Sequence, residues 1–325
     1  MMDAAVRYVL MIVVALLMPG LINKVKALWG GRQGASILQP IYDICRLFHK
    51  SQVISETTSP IFRVAPSINL VASLCAGLVV PVAGKESLIY FNGDFVFFAY
   101  ILALGRFFTV LGALDTGSSF EGMGASREVT FSALIEPAFF IIMGAMAMLT
   151  GYTSFSQIFS LIPGLLQNIK INDDGVSIAE LIRLWAHSEL LVAAVCGNIV
   201  FLIMILVEAS RLPVDDPTTH LELTMIHEVM VLDNSGIDLA FIQWASALKI
   251  GMLGTLIVAL ILPAALYMWS AVMLYLFLML LVAITIGSIE SVMARLRMTH
   301  VPQFVLGASS IALIVLAILL LGHKQ

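Results

Sequence analysis

Long apolar runs separated by short polar clusters make up most of the chain. Eight runs are long enough to cross a bilayer, at roughly 5–22, 63–83, 95–114, 131–150, 188–208, 242–262, 266–289 and 302–322, because a spanning helix needs about 20 apolar residues. The first is read as a retained span: Met18-Pro19-Gly20 is followed at once by Lys24 and Lys26, and no small-residue cleavage site precedes them. A further stretch, Phe155 to Leu166, is too short to cross and is interrupted by Pro163 and Gly164. It predicts a re-entrant or interfacial piece within 152–187. After the first run, Pro40 suits a first helical position, and Ile41, Ile44, Cys45 and Phe48 follow at i, i+3, i+4 and i+7. Asp43, Arg46 and Lys50 fall largely off that stripe, which predicts a short amphipathic helix on the membrane surface. The expected fold is all-α, a single integral membrane domain over residues 1–325. It has about eight spanning helices and one surface helix, with loops on one face at about 23–62, 115–130, 209–241 and 290–301.

Composition sharpens this reading. The chain is 60% hydrophobic and 12% charged, against about 45–50% and about 25% in soluble domains, so neither a water-soluble globule nor a disordered chain fits. The net charge of −4 offers no basic surface for nucleic acid. Cys45, Cys75 and Cys196 are scattered singly, with no disulfide framework, zinc spacing or iron–sulfur motif, so the chain itself is expected to bind no metal or redox cofactor. Basic residues set the orientation. Lys24, Lys26, Arg32, Arg46, Lys50, Arg63, Arg127, Arg211, Arg295 and Arg297 alternate onto one side, and Arg7, Lys85, Lys170, Arg183 and Lys324 onto the other. The first side is expected to be cytoplasmic, in a cell (inner) membrane, with both termini outward.

The chemistry concentrates on that inward side. Asp115, Glu121, Arg127 and Glu128 follow the third span, and Glu128, Ser132 and Glu136 share one helical face at i, i+4 and i+8. A charge near mid-bilayer costs about 2.5–3.5 kcal/mol on insertion scales, so Glu136 should face protein or water. It reads either as a capping acid or as part of a proton path. The Gly-rich piece around Gly122 and Gly124 lacks the Lys-Ser/Thr ending of a phosphate cradle. The third loop carries Glu208, Arg211, Asp215, Asp216, Glu222, Glu228 and Asp233. His227-Glu228 lacks the second histidine of a zinc-protease helix. These acids are either solvated or held in a wet cavity with raised pKa values. Arg295 and Arg297 either anchor spans at the headgroups or take part in docking. Arg106 and Lys249 fall inside spans and need partners, with Glu136, Glu189 and Glu208 as candidates.

Taken together, Gly31-Arg32-Gln33-Gly34 with Gln39-Pro40 and Asp43, and Glu208-x-x-Arg211-x-Pro213 with Glu222, resemble the eight-span membrane subunit of respiratory complex I. Leu114–Ser118, Gly124–Glu128 and Ile135-Glu136-Pro137 look more like the hydrogenase branch, the membrane subunits of formate hydrogenlyase and hydrogenase-4 type complexes. The resemblance implies a subunit that docks a hydrophilic redox arm onto the membrane and starts an acidic path for protons. By position it places Arg32, Gln39, Asp43, Arg127, Glu136, Glu208, Arg211 and Glu222 at a chamber or its acidic exit, with Glu121, Glu128, Asp215 and Asp216 nearby. It implies iron–sulfur clusters and a [NiFe] centre in cytoplasmic partners, antiporter-like membrane subunits beside it, and lipid around it. The third loop ends Val231-Leu232-Asp233-Asn234-Ser235-Gly236, without the aromatic Tyr-Ser-Gly ending of the quinone enzymes. An anchoring and ion-coupling subunit of a hydrogenase-type complex is therefore the first reading, a quinone-chamber subunit the second, and a stand-alone transporter the third. No internal repeat supports the last.

Overall fold

The computed structural model describes residues 4–167, 188–215, 225–263 and 266–322. Its helices are α1 (Ala4–Trp29), α2 (Gln39–Phe48), α3 (Pro60–Gly77), α4 (Asp94–Asp115), α5 (Ser119–Thr150), α6 (Phe155–Gln167), α7 (Ser188–Glu208), the single-turn α8 (His227–Met230), α9 (Gly236–Ala259), α10 (Met268–Val292) and α11 (Val301–Gly322). All but α2, α6 and α8 are long and apolar enough to cross a membrane, which gives eight spans among the described residues. The chain is a multi-pass all-α membrane protein.

Helix α9 is the axis of the bundle, with 78% of its most apolar stretch buried, the largest share of the eight. It packs against α1, α2, α3, α7 and α10, while α5 packs with α4, α7 and α11. Association of helices in lipid relies on close packing, which small residues permit. At Gly20 a Cβ would lie 1.9 Å from the Ile37 carbonyl oxygen, so glycine there lets the loop before α2 rest directly on α1. Gly20→Ala should push that loop away at a cost of about 1–3 kcal/mol. The readouts are a lower unfolding temperature in detergent and faster tryptic cleavage after Arg46. No change in either would show that the loop does not depend on α1.

Two elements differ from their sequence-based expectation. The segment expected as a loop over 115–130 is helical from Ser119 onward, so the connection shrinks to a turn at Thr116–Ser118. Its glycines belong to a contact: a Cβ at Gly124 would lie 2.4 Å from Val229 Cγ1 and 2.8 Å from the Ile226 carbonyl oxygen. Packing against α8 outweighs the intrinsic helix penalty of glycine, about 1 kcal/mol. In the short stretch after α5, α6 continues through Pro163 and buries Phe155, Ile158, Phe159 and Ile162. Rings of Phe98, Phe139 and Phe201 pack against its aromatic face. The Asp94 carboxylate accepts from Phe155 N at 2.7 Å and Ser154 Oγ at 2.8 Å, capping α6 and fastening it to α4. Residues 168–187 of the expected re-entrant stretch lie outside the described residues.

Candidate functional site

Four helices bring charge to one place inside the bundle. Arg106 comes from α4, Glu128 and Glu136 from one face of α5, Glu208 from the last position of α7 and Lys249 from α9. Arg106 Nη1 donates to Glu136 Oε1 at 2.7 Å, Nη2 donates to Glu208 Oε1, and Nε lies 3.9 Å from Glu128 Oε1. The charges of Glu208 and Glu128 also act on Lys249, which is buried. Charges taken out of water are tolerated when paired in good geometry, and the planar guanidinium fork suits several carboxylates at once. Three carboxylates face two cations here, so full ionisation leaves one negative charge, and a single bound proton cancels it. Side-chain exposure falls unevenly, at 38% for Glu136, 8% for Glu128 and 1% for Glu208. The network therefore reaches the wall of the bundle at Glu136. Glu189, the third candidate partner, begins α7 at its far end.

Next to this network lies a cavity of about 600 Å³, lined among others by Lys26, Gln39, Asp43, Arg46, Arg211 and His227. Its walls come from α1, α2, α8, α9 and the turn after α7. The surface helix predicted from the apolar stripe is thus one wall, with Ile44 buried and Arg46 exposed. Gln39 Nε2 donates to Asp43 Oδ1 at 3.0 Å and Arg46 lies 3.6 Å from it. Ala209 and Ser210 line the cavity directly after Glu208, and Ser246 lines it one turn before Lys249, so the ion network begins where the cavity ends. His227 faces this cavity half-buried. Burial holds its imidazole pKa below the ordinary value, with Lys249 acting in the same direction against the pull of Glu228.

The remaining residues singled out from the sequence have other places. Asp115 accepts from Ser59 N at 2.7 Å and Phe62 N at 3.3 Å, which caps α3. Glu121 is buried and accepts from Asp233 N at 3.0 Å. Arg127 donates to the Met225 carbonyl at 2.9 Å. Asp215 accepts from Ile226 N at 3.1 Å and His227 N at 3.0 Å, and Arg295 lies 3.4 Å from its other oxygen. These three acids and two arginines clamp loops together, whereas Arg32 and Arg297 are exposed on the surface. Asp216 and Glu222 lie outside the described residues. Two residues given no role from the sequence now have one. Glu290, almost fully buried, ties Lys26 at 2.8 Å to Arg211 at 3.5 Å; an acid at the end of an apolar span was the available signal. His227 stood beside Glu228 in a motif considered only for zinc. Among the described residues no group of three or more His, Cys, Asp or Glu could hold a metal ion.

An all-helical, eight-span bundle with a loop-side cavity leading to a buried ion network defines a class of membrane-embedded subunit. The chain belongs to the NADH dehydrogenase family, which it matches over residues 3–321. It is 28% identical to hydrogenase-4 component C of Escherichia coli over 260 residues, 80% of this chain and 75% of that protein. Formate hydrogenlyase subunit 4 of the same organism is 30% identical over 153 residues, 47% of this chain and 50% of that protein. One subunit of the NADH-quinone oxidoreductase of Rickettsia africae is 25% identical over 194 residues, 59% of this chain and 51% of that protein. A chain in the structure of the membrane-bound sulfane sulfur reductase, an archaeal respiratory membrane complex, shares the fold. Its TM-score is 0.74 at 20% identity, covering 97% of this chain and 99% of that one.

Proposed function

We propose that this chain is the membrane-anchoring and ion-coupling subunit of a membrane-bound hydrogenase-type complex, with the cavity and α2 facing a soluble redox arm. The observation that carries this reading is Arg106 bridging Glu136, Glu208 and Glu128 beneath the cavity. Buried ionisable residues of this kind mark ion pathways in membrane proteins. The excess of basic residues on the α2 side supports a cytoplasmic location for it in the cell inner membrane, with both termini outward. Relatives named as components of hydrogenase-4 and formate hydrogenlyase support a hydrogenase-type assembly. On this reading the iron–sulfur clusters and the [NiFe] centre belong to partner subunits, and antiporter-like subunits flank the chain in the membrane. Asp115, Glu121 and Asp215 then serve the path by holding its loops in place.

Purification of the tagged chain in mild detergent tests this. Iron–sulfur and [NiFe] subunits should co-purify, and isolation of the chain alone from a strain expressing its own complex would sink the reading. Within that complex, Arg32→Gln with Arg46→Gln should weaken retention of the soluble arm by up to about thirtyfold, because exposed ion pairs contribute only about 0.2–1 kcal/mol each. Retention at normal stoichiometry would make this surface a lipid anchor only. A second reading, a quinone chamber, is supported by the cavity volume of about 600 Å³ and its mixed lining. Quinone-dependent turnover, or quinone bound in the purified complex, separates the two.

A further inference from the structure

We propose that the loop-side cavity holds a phospholipid, with its phosphate between Lys26 and Arg211 and one acyl chain along α1. This occupant rests on the hydrogenase-type reading above, since a quinone chamber has to stay open for its substrate. Along α1 the cavity runs from polar to apolar. Leu16, Pro19, Gly20, Asn23 and Lys26 line it from one face of that helix, at i, i+3, i+4, i+7 and i+10. Lys26 stands in the last turn of α1, where a lysine reaches headgroup level. Leu16 lies about 15 Å deeper at 1.5 Å per residue, about half of the roughly 30 Å hydrocarbon core. Ile44 and Leu47 of α2 and Ile242 of α9 add further apolar wall.

The polar end has donors to spare. Lys26 Nζ lies 2.8 Å from Glu290 Oε2, and Arg211 Nη1 lies 3.5 Å from Glu290 Oε1, beyond the usual hydrogen-bond range of about 2.7–3.2 Å. Among the described residues the Arg211 guanidinium has no hydrogen-bond partner, although its side chain is only 12% exposed. One carboxylate between two cations leaves one positive charge, and a phosphodiester carries one negative charge. Its two free oxygens can accept from the guanidinium fork and from the ammonium together. A quinone is neutral and leaves that charge standing, and inorganic phosphate leaves the apolar face of α1 uncovered. A phospholipid meets both ends, and basic pockets between spanning helices hold headgroups of this kind. Of the other charged groups in the lining, Asp43 is engaged by Gln39 and Arg46, and Glu228 stands on α8 beside His227. The volume of about 600 Å³ lies within the usual range of ligand sites, about 300–1,000 Å³. It takes the headgroup and part of one chain, and the remainder stays in the bilayer.

The test takes the whole complex, stripped of loosely held lipid by repeated detergent exchange, and measures the phospholipid retained per complex by mass spectrometry. Wild type should keep one phospholipid more than Arg211→Gln, in which Lys26 still pairs with Glu290. Dioleoylphosphatidylglycerol added back should bind that variant about tenfold more weakly or worse. Leu16→Trp, which fills the apolar end and leaves every charge in place, should also displace the lipid, and it is read alone should Arg211→Gln fail to assemble. Equal retention in wild type and an assembled variant overturns the site. In the stripped wild type, dioleoylphosphatidylglycerol should raise the unfolding temperature more than dioleoylglycerol or inorganic phosphate does. An equal rise with inorganic phosphate makes this a phosphate site only, and an equal rise with dioleoylglycerol an apolar slot only; either overturns the phospholipid. That comparison needs no variant and decides the matter should neither assemble. A tightly held quinone in place of the phospholipid defeats this occupant and the hydrogenase-type reading together. An empty cavity in a complex that keeps its [NiFe] subunit defeats the lipid alone.

Discussion

Arg106→Gln should be among the most damaging single substitutions in the protein, with a large fall in the unfolding temperature and in the amount recovered from membranes. The guanidinium is the shared partner of Glu136, Glu208 and Glu128, and its side chain is 9% exposed. Removing one member of a buried pair strands the other charge at a cost of about 3–5 kcal/mol. That is a large part of a typical folding stability of about 5–15 kcal/mol. Arg106→Lys should recover only part of the loss, because an ammonium is a compact point charge and cannot reach three carboxylates with a planar fork. Arg106→Gln combined with Glu208→Gln should recover more, since it removes the most deeply buried acid along with its partner. Wild-type melting of Arg106→Gln in detergent would show that the carboxylates find other partners or carry protons.

Glu136→Gln should act on function with little effect on the fold. The amide keeps an oxygen for Arg106 Nη1, now at 2.7 Å from the carboxylate, and the side chain is 38% exposed, so no buried charge is stranded. What the amide cannot do is bind and release a proton. Of the three network carboxylates Glu136 is the one that reaches the bundle wall, so the proposed function makes it the end of the path on this side. Proton translocation by the assembled complex should fall by about 100-fold, the lower end of the effect of removing a proton-transferring group. Unchanged translocation in a variant that retains every partner would remove Glu136 from the path.

Much of the site could be read from residue types and spacing. Arg106 and Lys249 inside apolar runs demanded partners, and Glu136 and Glu208 stood among three candidates named for them. The i, i+4, i+8 spacing put Glu128 and Glu136 on one face of α5, where the structure has both. Four other charged residues were grouped with the proton path or the docking surface by their place in the loops or by the resemblance: Asp115, Glu121, Arg127 and Arg295. In the structure Asp115 and Glu121 hold backbone N–H groups, Arg127 holds the Met225 carbonyl and Arg295 the Asp215 carboxylate. A carboxylate that caps a helix and one that carries a proton look the same in a sequence. Their difference lies in which donor approaches, and that donor comes from another segment.

Hydropathy and helical period are local properties, and they set the number of spans, the surface helix and the face on which charge gathers. Twenty apolar residues must cross and a stripe at i, i+3, i+4 must lie flat, whatever their neighbours are. Pairing is not local. Arg106 and Glu208 stand 102 residues apart, and only the packing of α5 against both α4 and α7 brings them together. The same holds for the helical start of α5, where Gly124 takes its conformation from contact with α8, and for His227, which gains its position from Asp215. Tertiary packing chose the partners because the energy of a buried charge depends on what surrounds it.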